Sequence, residues 1–282
     1  MKLIFSILIF QFVLLSSFGQ NIELSGTITD SINNPIQYAS VGVLNKPIGT
    51  VSDTEGTFNL ILSLDNKNDT LRISSLGFKS QDYLIKDLKN KKTPISIKLQ
   101  KYIENLDEVV INSKKLKTYT EGKTKTKTKQ KVIFANPDLT NINLGSEIGR
   151  KFKLGDDDPS HLTEFKFYIR DNNFDSVKFR INIYTIENNR PAKKINTQNI
   201  FTSAGKGYVG WIEVDLSPFN IVVKDDIVVA VEWIGHSENG NELNLPIIIP
   251  SFGSTHFYKF GSQNAWEKYG SISSAMELTY EQ

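Results

Sequence analysis

Between residues 22 and 111 apolar and polar side chains alternate in short runs. Leu24, Gly26 and Ile28 share one side of a first strand; Ala39, Val41 and Val43 do so in a second, and Phe58, Leu60 and Leu62 in a third. Leu71 with Ile73, then Ile95, Ile97 and Leu99, continue the series. A period of two is that of half-buried strands. Asn33-Asn34-Pro35 breaks the chain after the first strand, and Ser52-Asp53-Thr54-Glu55-Gly56 predicts a tight turn that closes a hairpin. Short strands so spaced predict a β-sandwich.

The alternation returns more strongly in the second half. Thr163, Phe165, Phe167 and Ile169 face one way in one strand, Val177, Phe179, Ile181 and Ile183 in the next, with a turn at Asp171-Asn172-Asn173 between them. Further strands are predicted at 208–216, 227–234, 245–249, 256–260 and 275–280. No segment holds a helical period over ten or more residues, and no tandem repeat relates the halves. The expected class is all-β: an N-terminal sandwich followed by an antiparallel, jelly-roll-like β-sandwich.

Two segments fall outside this pattern. Lys2 followed by an apolar stretch over 3–15, then Ser16-Ser17-Phe18-Gly19, reads as a signal peptide over residues 1–20. The stretch is shorter than a membrane anchor needs, and no later run is long enough to span a bilayer. The expectation is an exported protein, periplasmic, outer-membrane-associated or secreted, with no transmembrane segment after signal cleavage. Residues 112–131 carry eight lysines and one glutamate, whereas the whole chain is nearly balanced at 33 Lys plus Arg against 31 Asp plus Glu. With its Lys-Thr repeat, this basic stretch is read as a linker over 112–135. It divides a domain at 21–111 from a second at 136–282.

The chain has no cysteine, which excludes disulfides, thiolate catalysis, cysteine-containing zinc sites and a lipoprotein acceptor. The predicted export and the lack of a binding motif argue against nucleic acid as a partner.

Residues 25–60 carry Gly26, Asp30, Pro35, Ala39, Val41, Gly49, Thr50, Asp53, Gly56 and Phe58, and Gly77-Phe78 follows. In that order these residues resemble the signature of carboxypeptidase-like regulatory domains, small transthyretin-like β-sandwiches common in envelope proteins of Gram-negative bacteria. The resemblance covers about a third of the chain. It implies a non-catalytic module of the kind that often precedes the plug and barrel of TonB-dependent outer-membrane receptors, and the segment 106–111 resembles the junction found there. No barrel-sized sequence follows. Val109, Val110 and Ile111 are read as a closing strand of the first domain, with a partner-binding strand as the alternative.

His161 and Glu164 have the spacing of a zinc pair, with His236 or His256 as a third ligand. Positions three apart on a strand point to opposite faces, so no metal site is expected. Asp156-Asp157-Asp158 lacks the alternation of a calcium loop and reads as a solvated turn. Trp233 alternates with core residues, whereas Trp266 stands in a polar context, so Trp266, Tyr269 and Tyr258 are the candidate ligand-binding residues for a glycan. No catalytic residue and no cofactor is assigned; Glu213, Asp215 and Glu232 cannot be placed across a cleft from sequence. The expectation is a non-catalytic binding or scaffolding protein of the cell envelope, its partner a glycan or an envelope protein. The alternatives are a partner of outer-membrane transport or secretion machinery and a glycan- or peptide-processing enzyme.

Overall fold

A computed structural model describes residues 21–89, 94–102, 116–137, 144–155 and 158–282. The predicted signal segment, residues 103–115 with Val109, Val110 and Ile111, and Asp156 and Asp157 lie outside the described residues.

The N-terminal sandwich contains β1 (Asn21–Thr29), β2 (Ser40–Val43), β3 (Gly49–Val51), β4 (Thr57–Ser63), β5 (Thr70–Ser74), β6 (Gln81–Leu84) and β7 (Ile95–Lys98). One sheet has the order β4-β1-β7 and the other β3-β2-β5-β6. The residues predicted to face inward do so: Leu24, Ile28, Val41, Val43, Leu71 and Ile73 are wholly buried, with Phe58, Leu60, Leu62, Ile95 and Ile97 nearly so. A single-turn helix, α1 (Ile85–Lys89), buries Ile85 and Leu88 against the same core. The predicted hairpin at 52–56 is instead a crossover, because β3 and β4 belong to different sheets. The turn closes on itself: Asp53 N–H donates to Thr57 O at 2.8 Å, and Gly56 N–H to Asp53 O at 3.2 Å. Gly56 has φ +71°, and a Cβ there would lie 2.4 Å from Ile28 O, so only glycine fits.

The second unit begins inside the stretch read as a linker. β8 (Thr118–Lys123) pairs with the C-terminal strand from Met276 to Glu281, and β9 (Gln130–Ala135) pairs along a later strand over Leu243–Ile248. The 112–135 linker is thus corrected: a backbone ladder holds β8 with little apolar content, its threonines suiting a strand, and β9 adds Val132 and the buried Phe134 to the core. The chain continues through β10 (Glu147–Phe152), β11 (Ser160–Ile169), β12 (Asp171–Asn172), β13 (Val177–Glu187), β14 (Arg190–Lys194), β15 (Ile200–Ala204), β16 (Gly210–Asp215) and β17 (Val222–Val223). It closes with β18 (Ile227–His236), β19 (Leu243–Ile248), β20 (Thr255–Lys259), β21 (Glu267–Gly270), β22 (Ser273–Ser274) and β23 (Met276–Glu281). The turn predicted at 171–173 begins with β12, which pairs with β19.

A sheet of order β14-β13-β18-β10-β20-β21, with β15 also on β13, forms one layer; β16-β11-β23-β8 and β12-β19-β22 with β9 form the other. The pairings of this unit are antiparallel. Between the layers lie Phe152, Phe165, Phe167, Phe179, Ile181, Val229, Val231 and Trp233, all wholly buried. Thr163 does not join them. A bulge between Leu162 and Glu164 leaves Thr163 opposite no partner, and Leu162 takes the inward place.

The two sandwiches meet over a small, close-packed polar contact. Ser262, in the loop between β20 and β21, donates its hydroxyl to Val41 O at 2.8 Å. A Cβ at Gly42 or Gly49 would come within 2.7 or 2.6 Å of Ser262 Oγ, so these glycines of β2 and β3 admit the loop. Gln263 Nε2 reaches Ser74 Oγ at 2.8 Å, and Asn45 N–H donates to Gln263 O at 3.1 Å. Beside them Arg180 of β13 donates from Nε and Nη2 to the two oxygens of Glu232 on β18, both at 2.8 Å, and from Nη1 to Tyr38 O at 3.0 Å. Both members of that ion pair are 2% exposed.

Removing one partner of a buried pair strands the other's charge. Arg180→Ala should therefore lower the unfolding free energy by about 3 to 5 kcal/mol, and adding Glu232→Leu in that background should restore part of the loss. Denaturant titration checks this; a loss below about 1 kcal/mol for Arg180→Ala, the range of exposed pairs, would contradict the reading.

Candidate functional site

A cleft of about 880 Å³ opens between the sandwiches. Strand alternation supplies one wall: Ser25 and Thr27 on β1 and Thr57 and Asn59 on β4 project from the outer face of their sheet, while Leu24, Phe58 and Leu60 point into the core. The other wall carries Ser176, Lys178 and Ser203, with Gly235 and His236 at the end of β18. The bottom is apolar, where Tyr38 and Val51 of the first unit pack with Ile234 and Leu144 of the second. Tyr38 also sets its ring edge-on to Phe201 at 5.3 Å.

The two ionic side chains in this lining are already engaged. Asp53 accepts from Glu55 N–H at 2.9 Å and Thr57 N–H at 2.8 Å, and also from the Thr57 hydroxyl. Burial disfavours its charge, yet these bonds hold the carboxyl below the usual carboxylate range. Lys178 Nζ donates to the Tyr38 hydroxyl at 2.8 Å. His236 Nδ1 lies 2.7 Å from Ser237 O, so Nδ1 carries a proton and donates. The ring packs against Phe174 and Trp233 at 5.1 and 5.2 Å. A ligand entering the cleft therefore meets hydroxyls, an amide, an imidazole and aromatic carbon, together with a carboxylate and an ammonium that each hydrogen-bond within the protein.

Behind the cleft, the outer face of β13, β18 and β10 is polar and closed. Asn182 bridges Glu232 at 2.7 Å and Glu147 at 3.1 Å. Glu147 in turn accepts from the Tyr184 hydroxyl at 2.8 Å and pairs with Lys259 at 2.5 Å. Burial raises the Tyr184 phenol well above its ordinary value, and Glu147 adds to the shift. Burial opposes the Glu232 charge, but Arg180 and then Lys194 overcome it and hold the carboxyl well below the usual range. Burial and Arg180 push Lys194 down to about 8.

The three aromatic residues singled out by the sequence do not form one platform. Trp266 lies edge-on to Tyr184 at 5.5 Å and to Phe257 at 6.4 Å, with Lys259 Nζ 5.0 Å from its ring centre. Tyr258, next to Phe257 on β20, points to the opposite face and donates its hydroxyl to Ile133 O at 3.0 Å; burial raises its phenol. Tyr269 is exposed and bonds Glu267 on its own strand. Of the carboxylates considered, Glu232 is sealed in the ion pair, and Glu213 pairs with Lys166 at 3.0 Å.

The β11 bulge brings His161 and Glu164 to the same face of the strand. His161 pairs with Glu281 and Glu164 with Thr279, two apart on β23, so both face outward on the same side. Glu164 is held by Lys166 at 3.1 Å, while His236 lies at the cleft and His256 in the interior. Among the described residues no group of three or more metal-ligating side chains assembles. Ser274 Oγ and His256 Nδ1 are 3.1 Å apart, the spacing of a nucleophile and base, but both are buried. Burial lowers His256 to about 4, which leaves it neutral at physiological pH.

The fold and its inward-facing signature residues agree with a family match. Residues 24–111 match the family described as CarboxypepD_reg-like domain. This segment is a CarboxypepD_reg-like domain. Its strands supply Ser25, Thr27, Thr57 and Asn59 to the cleft, and its Gly42 and Gly49 receive the Ser262 loop. No curated protein matches the chain. Solved structures with some likeness include the cysteine protease and lectin-like domains of Cwp84, a surface layer associated protein of Clostridium difficile, at 12% identity and TM-score 0.37. That alignment covers 49% of this chain and 32% of the other. Clostridial cysteine protease Cwp84 after propeptide cleavage aligns at 11% identity and TM-score 0.39, over 91% of this chain and 61% of the other. The chain thus spans about a third and about three fifths of the two proteins, and likeness of that degree says nothing of function. Among the described residues no helix is long and apolar enough to cross a membrane.

Sequence reasoning missed the cleft, because its walls are the outward, polar positions of strands from separate sandwiches. Gly49 and Gly42, glycines in a β-rich stretch, signalled only the neighbouring joint, where the Ser262 loop makes its close approach.

His256 makes the stability of the second unit pH-dependent. Its proton affinity is lower folded than unfolded, so the unfolded chain takes up the proton first; stability is complete above about pH 6.5 and falls as pH drops toward about 4. From about pH 7 to about pH 5 this histidine should cost about 2 kcal/mol. Unfolding titrations of the wild type and His256→Gln at both pH values isolate the term: the variant should lose less on acidification, and an equal loss would refute the assignment.

Proposed function

We propose that this chain is an exported, non-catalytic binding protein of the cell envelope that recognises a neutral glycan in the cleft between its two sandwiches. One observation carries the reading: the cleft is lined by hydroxyl and amide side chains over an apolar floor, and Asp53 and Lys178 are already committed. Sugars present hydroxyls around an apolar ring face. Such a lining can match them with neutral donors and acceptors, while Asp53 and Lys178 keep hydrogen bonds within the protein.

The hydrogen-bonded joint supports the same reading. A site shared by two bodies needs them held in register, or each binding event must order them first. Ser262, Gln263 and Arg180 supply that register through hydrogen bonds, mostly to main-chain oxygens of the CarboxypepD_reg-like domain. The engagement of Trp266 and Tyr258 in intramolecular packing favours the cleft over the β20–β21 face as the glycan site.

A screen of neutral oligosaccharides against the full chain tests this, followed by calorimetry with Asn59→Ala and His236→Ala. Each substitution is expected to weaken binding about tenfold or more, equivalent to about 1.4 kcal/mol, and added salt should change little. Absence of binding to any neutral glycan, or binding abolished by Trp266→Ala and indifferent to Asn59→Ala, would overturn it.

A further inference from the structure

At the end of the second sandwich remote from the cleft, an apolar tip stands beside a row of unpaired lysines. β19 leaves its sheet at Ile249, which is 53% exposed, and the following turn lifts Phe252 into solvent at 81% exposure. The turn is fixed to its neighbours. Ser251 N–H donates to Ser271 O at 2.8 Å, Ser271 N–H to Ser254 O at 3.0 Å, and the buried hydroxyls of Ser251 and Ser254 are 2.9 Å apart. An apolar side chain on a loosely held loop can fold back onto the protein; here the backbone holds Phe252 away from it.

The lysine tract is brought to the same end by register. β8 ends with Lys123 opposite Met276, and β9 begins with Gln130 opposite Ile247, so residues 124–129 cross between the two sheets where β19 runs out. Along this crossing exposure alternates: Lys125, Lys127 and Lys129 are exposed, and Thr126 and Thr128 half-buried. The three ammonium groups therefore share the outward side. None has an ion pair among the described residues, and Glu121 of β8, two residues before Lys123, is taken by Arg150 at 2.7 Å.

We propose that this end docks on a bilayer surface bearing anionic headgroups, with Phe252 and Ile249 entering the interface and Lys125, Lys127 and Lys129 lying against the phosphates. Charge complementarity selects the anionic surface. The rigid apolar tip selects a lipid over a soluble polyanion, which would use the lysines alone. Stable attachment of a protein without a spanning segment takes two such signals together.

The test is co-sedimentation of the full chain lacking residues 1–20 with vesicles of phosphatidylcholine, with and without phosphatidylglycerol. Binding is expected to the phosphatidylglycerol vesicles only and to fall with added salt. Phe252→Ser should weaken it about tenfold, and joint Lys125→Gln, Lys127→Gln and Lys129→Gln on the order of a hundredfold. These positions are exposed, and thermal melting confirms that the variants keep the fold. The proposal is overturned if phosphatidylglycerol vesicles do not bind the protein, if pure phosphatidylcholine binds it equally, or if Phe252→Ser binds as the wild type does. The last result would mean contact with a polyanion only.

Discussion

The relation of the two sandwiches depends on one guanidinium. Arg180 spends two of its faces on Glu232, inside its own sheet, and the third on the Tyr38 carbonyl of the other sandwich. A buried ion pair gains little over apolar packing, because desolvation offsets the attraction. Its effect here is geometric. With Glu232 fixed by two parallel bonds, Nη1 points one way, and docking of the first sandwich is what supplies its acceptor. The network behind it, from Asn182 to Glu147 to Lys259, ties β13, β18, β10 and β20 into one plate against which that docking occurs.

Tyr38 shows what the docking imposes. Its φ of 52° lies in the left-handed region, which costs a bulky residue roughly 1 to 2 kcal/mol. Three contacts hold it there: its N–H donates to Ser52 O at 3.1 Å, its carbonyl accepts from Arg180, and its hydroxyl accepts from Lys178. The last two come from the other sandwich. The same residue then forms part of the apolar bottom of the cleft, so strain, docking and the candidate site coincide at one position.

What the sequence revealed follows from the range of each interaction. Alternation is local, so β1, β2, β4, β5 and β7 of the first sandwich and the Val177 to Ile183 face of β13 were legible residue by residue, whereas the short β3 and β6 were not. Register is not local. The Lys-Thr tract carries no apolar stripe, and only its pairing with β23 and β19 makes its two ends strands; Thr163 alternated correctly on paper, but the β11 bulge moved it out of the core. The turn at 52–56 had the residues of a tight turn, which specify the local bend and not the sheet that receives the next strand. Trp266 stands in a polar stretch of sequence and is half-buried, because its packing partners Tyr184 and Phe257 come from β13 and β20.

The two proposed surfaces stand toward opposite ends of one strand. β19 starts beside Asn173, whose side chain caps Asn241 and Glu242 next to the cleft wall at Ser176, and it ends at the Ile249 tip. Five steps of an extended chain separate them by about 17 Å. A molecule seated on a bilayer by its tip therefore carries the cleft away from the surface, and the CarboxypepD_reg-like domain, docked through the loop at the far end of β20 and β21, lies on the cleft's side of the molecule. Anchoring and recognition then make separate demands on the chain. A tip that docks on lipid needs unpaired cations and exposed carbon, whereas a glycan cleft needs polar groups facing the ligand, and the fold keeps these two sets of side chains at separate ends.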